Sequence, residues 1–288
     1  MPYRREICSA GKTRQYTYYY SARADQKGGS RKANENHTKE AQQKVNSRMA
    51  VKKLTWILNE NFDGTSLYVT WSYKKENRPK DKEEFKKTID KLLRDIRKTY
   101  KGAGLDAKYV WVAELGQKGA AHVHMVLNAI DTQLLKKVWD KGWITIKPMD
   151  DTGQYRKLAN YFVKYSEKTM KTLNGLQKRR YNASRNLTIP QPKKETVSQR
   201  KAYSHKIQVP PGWYVDKESI QEAWHEETGY MYFTYTLIYD GSSQRPGKES
   251  YKLDLETGEV QIEETRKKGS PRGHPGRGKD ERDGRKKR

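Results

Sequence analysis

The sequence predicts an α+β protein: a split βαβ, ferredoxin-like antiparallel sheet with a helical N-terminal arm and a small C-terminal α+β extension. Three observations carry this. Between residues 66 and 173, segments of period two and segments of helical period alternate as β-α-β-β-α-β-α. Capping residues and glycines punctuate that order. After Pro190 and Pro192 the texture changes and a new set of elements begins.

The elements divide into four stretches. Residues 1–62 read as a basic arm and helix. Tyr16 to Tyr20 is a short strand, Gly28-Gly29-Ser30-Arg31-Lys32 a break, and Thr38 caps a helix to about Glu60 on an interrupted stripe of Ala41, Val45, Met49 and Ile57. Residues 63–190 hold the sheet. Ser66–Tyr73 alternates as a strand. Asp81 and Glu84 have capping-box spacing and open a helix that buries Phe85, Ile89, Leu92, Leu93, Ile96 and Tyr100 and ends at Gly102. Lys108–Leu115 and Ala121–Asn128 form a hairpin across Gly116–Gly119. Asp131 caps a short helix through Trp139, ended by Gly142; Trp143–Lys147 is the fourth strand, and Thr152 to about Leu173 is a helix closed by Asn174-Gly175. Residues 191–264 read as an accessory α+β region: a helix between Asp216 and Gly229, the strand Tyr230–Tyr239, and a hairpin Tyr251–Glu264 turning at Thr257-Gly258. Residues 265–288 read as a disordered basic tail.

Composition narrows the partners. The net charge is +25. The tail holds 11 Lys and Arg against three acidic residues, which leaves +17 on the rest, so basicity is not confined to the tail. Such an excess favours a polyanion. With 20 Tyr and 7 Trp, the chain also has the aromatic side chains that stack on unpaired bases. The lone cysteine, Cys8, excludes a disulfide framework and a cysteine-based zinc site and fits a reducing compartment. No apolar run approaches membrane length, so a cytoplasmic protein without membrane contact is expected. Gly11-Lys12-Thr13 resembles half of a phosphate-binding loop, but Glu6 stands where its first glycine belongs and no strand precedes it.

The chemistry concentrates at His122-Val123-His124. On a strand, residues i and i+2 share a face, so both imidazoles can grip one metal ion. Glu114, across the hairpin, can complete a three-point site with positions open for a phosphate oxygen and water. Downstream, Lys157, Tyr161, Lys164, Tyr165 and Lys168 recur at helical spacings, with Leu158 and Phe162 on the side that packs. A phenol needs help to ionise at neutral pH, and Lys164 and a metal offer positive charge. A metal clamp beside a tyrosine is equipment for cutting a phosphodiester and holding the end covalently.

These residues, in this order, resemble the HUH endonucleases, and among them the rolling-circle replication initiators of phages, plasmids and bacterial mobile elements. Leu67-Tyr68-Val69-Thr70-Trp71-Ser72-Tyr73 resembles the first-strand motif, with Trp71-Ser72 where Leu-Thr is commoner. Glu114 through His124 resembles the metal motif, and Tyr161-Phe162-Val163-Lys164-Tyr165 the nucleophile helix. Arg179-Arg180-Tyr181 with Ser184-Arg185-Asn186-Leu187 and Pro190 resembles a segment that follows that helix in initiators of Gram-positive hosts. The resemblance spans roughly residues 38–190. It implies a palm of the HUH/RRM type and a divalent ion, Mg²⁺ or Mn²⁺, on His122, His124 and Glu114. Tyr161 would attack first and Tyr165 serve a second transfer. Lys157, Lys168, Arg179, Arg180 and Arg185 would contact DNA. The implied partners are single-stranded or extruded origin DNA, a host helicase and a host DNA polymerase. Rival expectations are a relaxase or single-strand transposase of the same chemistry, and a non-catalytic single-strand-binding protein.

Overall fold

The computed structural model describes residues 3–21, 40–115, 120–172, 179–224, 229–241, 249–253 and 260–264. The expected break at 28–32, the Thr38 cap, the turns at 116–119 and 257–258, the stop at 174–175 and the basic tail lie outside those residues.

The chain opens with a hairpin, β1 (Tyr3–Ala10) and β2 (Thr13–Tyr20), that starts earlier than the short strand the sequence suggested. Gly11 and Lys12 are its turn. Gly11 sits at φ +51°, and a Cβ there would come 2.0 Å from the Asn59 carbonyl oxygen. Contrary to the sequence reading, a strand does precede the Gly-Lys-Thr run, but it leads into a second strand and not a helix, so the run is a tight strand-to-strand turn pressed on the next helix. That helix, α1 (Glu40–Asn61), buries the unbroken run Leu54 to Asn59. Val45 and Met49 of the expected stripe are exposed. The reason is placement. Leu54, Ile57 and Leu58 face the palm, while Trp56 packs on Cys8 and Ala10, so the helix end is buried on more than one side.

The palm follows: β3 (Leu67–Tyr73), α2 (Lys82–Gly102), β4 (Tyr109–Leu115), β5 (Ala121–Leu127), α3 (Thr132–Lys136), β6 (Gly142–Pro148) and α4 (Arg156–Thr172). With β7 (Asn182–Ala183) the strand order is β6-β3-β5-β4-β7, antiparallel throughout. The Asp81 cap is present: its carboxylate accepts from Glu84 N at 2.8 Å. Helix α3 is shorter than expected, because the chain leaves it after Lys136 to bury Trp139, whose indole donates to Ser72 O at 3.0 Å. One sheet face (Val69, Trp71, Tyr73, Val123, Met125) packs under Phe85, Ile89, Leu92, Ile96 and Tyr100 of α2. Trp71 therefore lies in this core and does not line the opposite face. That opposite face is only partly open. Val110, Val112 and Val126 are covered by α1 and by Ala159, Phe162 and Val163 of α4, whereas Trp143, Thr145 and Lys147 of β6 stay exposed.

The remaining strands are β8 (Lys193–Val197), β9 (Ile207–Gln208), β10 (Trp213–Trp224), β11 (Met231–Tyr239), β12 (Glu249–Leu253) and β13 (Val260–Glu264), with α5 (Gln199–Ala202) after β8. The second five-stranded sheet runs β10-β11-β2-β1-β8. The N-terminal hairpin is thus not an isolated arm but shares a sheet with strands from the C-terminal region. The helix expected between Asp216 and Gly229 is instead the strand β10, which pairs with β11 through an irregularity between Asp216 and Gln221. Ser219 holds that irregularity, donating to Asp216 O (2.6 Å) and accepting from Thr236 N (2.7 Å). The extra residues separate the buried Val215 and Ser219 by four positions, which imitates helical spacing. A third sheet is β13-β12-β9. No helix among the described residues is long and apolar enough to cross a membrane.

Candidate active site

Three strands and one helix build the site. Register aligns Thr70 with His124 and Ser72 with His122 on one side, and Val112 with His124 and Glu114 with His122 on the other. Period two then puts Tyr68, Thr70, Ser72, Glu114, His122 and His124 on the face that meets α4.

Each imidazole is held by hydroxyls of β3. His122 Nδ1 lies 2.9 Å from Ser72 Oγ. His124 Nδ1 lies 2.8 Å from Tyr68 OH and 3.2 Å from Thr70 Oγ1. On its other side, His124 Nε2 donates to Glu114 Oε2 at 2.6 Å. Burial holds the His124 imidazole below its ordinary pKa, against the opposing pull of the Glu114 carboxylate.

Helix α4 presents the tyrosines. The Tyr161 ring meets His124 edge-on with centroids 5.5 Å apart, and the Tyr165 ring lies 4.2 Å from that of Tyr161. Phe162 is fully buried and packs on Tyr68 at 6.3 Å, which fixes the roll of the helix. The Tyr161 and Tyr68 phenols are near enough to act on each other electrostatically. Burial first, then the neighbouring Tyr68 and Glu114, pushes the Tyr161 phenol well above its usual range. It is therefore protonated at neutral pH and must lose its proton on the way to any attack.

The structure thus brings together Glu114, His122, His124, Tyr161 and Tyr165. Lys164 sits on the same helix with its side chain exposed. Lys157 is tied to Glu218 of β10 at 2.7 Å, with both side chains largely exposed. Arg180 pairs with Glu167 at 2.7 Å; Lys168, Arg179 and Arg185 are exposed. Sequence reasoning missed Tyr68, Thr70 and Ser72 as contributors. Their signal was the alternation of β3, which puts all three on the face opposite Val69 and Trp71.

As they stand, no three His, Cys, Asp or Glu side chains among the described residues group closely enough to enclose an ion. Glu114 and His124 bond to each other. The donor chemistry nevertheless fits a divalent cation. Two imidazoles and a carboxylate are neighbours, and each Nδ1 is engaged by a hydroxyl, which can donate to or accept from that nitrogen. Such outer partners orient a histidine so that Nε2 can ligate.

Residues 66–170, just over a third of the chain, match the family model described as replication-associated protein ORF2/G2P. The match covers β3 to nearly the end of α4, with every residue of the hydroxyl, histidine and tyrosine cluster inside it. It is consistent with a rolling-circle Rep-like protein and with a role in DNA replication. No curated protein and no solved structure matched the chain.

Proposed function

We propose that the protein initiates rolling-circle DNA replication by nicking single-stranded origin DNA through tyrosine transesterification. The observation that carries this is the packing of Tyr161 against His124 of a His-x-His strand, with Tyr165 beside it, inside the segment that matches the replication-associated family. His122, His124 and Glu114 would hold a divalent ion, Mg²⁺ or Mn²⁺, which when bound supplies a Lewis acid for the scissile phosphate. The Tyr161 oxygen attacks phosphorus and the bond to the 3′ oxygen breaks. The result is a 5′-phosphotyrosine and, after that oxygen takes a proton, a free 3′-hydroxyl. The phenolic proton passes to solvent water beside the neighbouring Tyr68, whose hydroxyl reaches His124 Nδ1. Tyr165, whose ring lies 4.2 Å from that of Tyr161, would serve a second transfer that rejoins the strand. Exposed Lys164, Lys168, Arg179 and Arg185 offer phosphate contacts around the helix. The free 3′ end suits extension by a host polymerase with a host helicase, in the cytoplasm.

Incubating the full chain and Mn²⁺ with a library of single-stranded oligonucleotides tests this. The expected result is an adduct that survives a denaturing gel and maps by peptide sequencing to Tyr161. Absence of any adduct, or an adduct that persists in the Tyr161→Phe/Tyr165→Phe double variant, overturns the nickase. Binding without adduct would favour the single-strand-binding alternative.

A further inference from the structure

Trp143 is the most exposed tryptophan among the described residues, at 61 % of its surface. Trp56, Trp71, Trp111 and Trp139 are buried. Trp213 has Arg14 over its ring and Tyr239 beside it, and Trp224 rests on Tyr203. Trp143 has no such ring or cation partner among the described residues. An indole open to water keeps its ring face free to stack on a partner, and tryptophan is enriched at interfaces where one end is apolar and the other wet.

Its position says which surface. Trp143 lies on the edge strand β6, opposite Ser72, and Ser72 is opposite His122. One row across the sheet therefore reads Trp143, Ser72, His122, Glu114. The next rows read Thr145, Thr70, His124 and Lys147, Tyr68, Val126. The alternate residues Ile144 and Ile146 turn into the core beneath α2. The outward residues Trp143, Thr145 and Lys147 carry no helix and are exposed, because α1 and α4 cover the β4 and β5 side. Two strand spacings, about 10 Å, separate Trp143 from His122. Basic residues flank the platform. Lys147 stands on it, and Lys74 and Lys141 meet at its end, where Lys74 N donates to Lys141 O at 2.9 Å.

We infer that the open β6–β3 face is a base-stacking platform for single-stranded DNA, with Trp143 holding an unpaired base of a nucleotide near the one cut and Lys147 on its backbone. This rests on the nicking reading for its direction along the sheet, but the binding it describes needs neither metal nor cleavage. An indole face stacks on any base, whereas a duplex hides base faces inside its stack. The row of small hydroxyl residues between Trp143 and the histidines leaves room for a sugar-phosphate chain.

The test uses the full chain in chelator, so that no strand is cut. Fluorescence anisotropy is read with two labelled probes of equal length, oligo(dT) and an abasic deoxyribose-phosphate strand. Trp143→Ala should weaken oligo(dT) binding roughly 5- to 100-fold. It should leave the abasic strand and the salt slope unchanged, and Trp143→Phe should restore much of the loss. Lys147→Ala should weaken both probes and flatten the slope by about 1. Equal loss on both probes, no loss on either, or a loss that tracks a changed oligomeric state by sedimentation overturns the platform. Because no chemistry is read, failure of the nickase leaves this result standing, and failure here leaves adduct formation by Trp143→Ala undiminished.

Discussion

Tyr68 touches both halves of the candidate chemistry. Its hydroxyl reaches His124 Nδ1 at 2.8 Å and its ring neighbours the Tyr161 phenol, so it orients the imidazole against which that phenol packs. Tyr68→Phe keeps the ring that packs on Phe162 and removes only that oxygen. The expected outcome is a kcat lower by ~10- to 100-fold with DNA affinity unchanged, because an orienting contact is lost while phosphate contacts remain. Single-turnover adduct formation beside equilibrium binding checks this. An affinity loss as large as the rate loss would make Tyr68 a DNA contact and not a positioning residue. Cys8 shows the opposite case. It is buried between β1 and α1, and burial pushes its thiol up to about 12. The thiolate is therefore scarce at neutral pH, and the residue is packing, not a nucleophile.

The elements differ in how far local sequence decides them. Helix α2 is spelled out by its own residues: a cap at Asp81, acidic Glu83 and Glu84 in the first turn, and a buried stripe from Phe85 to Tyr100. Asp81→Ala should cost about 1 kcal/mol. A denaturant midpoint should fall with the slope unchanged, while adduct formation per folded molecule holds, since α2 lies on the face opposite the histidines. A loss of chemistry equal to the loss of stability would show that the two faces are coupled. Helix α1 and strand β10 could not be read so directly. The buried run of α1 reflects two separate neighbours, the palm and the N-terminal hairpin, and a single amphipathic stripe cannot describe that. The spacing in β10 is set by an irregularity that Ser219 stabilises, and its partner β11 comes later in the chain.

Across the whole molecule, many of the 20 tyrosines are core residues, among them Tyr3, Tyr73, Tyr100, Tyr155 and Tyr235. Burial raises each of these phenols above the ordinary value of 10, Tyr3 to about 12. The folded state therefore keeps protons that the unfolded chain releases above pH 10. Their contribution to stability is complete below that value and is lost as pH rises from 10 through 12. Denaturant midpoints should stay level on the alkaline side up to about 10 and then drop, with phenolate absorbance from these residues appearing only as the protein unfolds. Full phenolate absorbance while the fold persists would contradict their burial.

The sequence alone determined the order of the palm, its antiparallel hairpin and the grouping of the candidate site residues. These are local properties: period two puts His122 and His124 on one face, and helical spacing groups Tyr161 with Tyr165. Which strands become neighbours is not local. Only the fold put β3 between β5 and β6, and so made Tyr68, Thr70 and Ser72 the partners of the histidines. Only the fold drew the first 20 residues into one sheet with β8, β10 and β11 and engaged Lys157 with Glu218. Such pairings join residues far apart in the chain, and their stability comes from faces that exist only once the partner is in place.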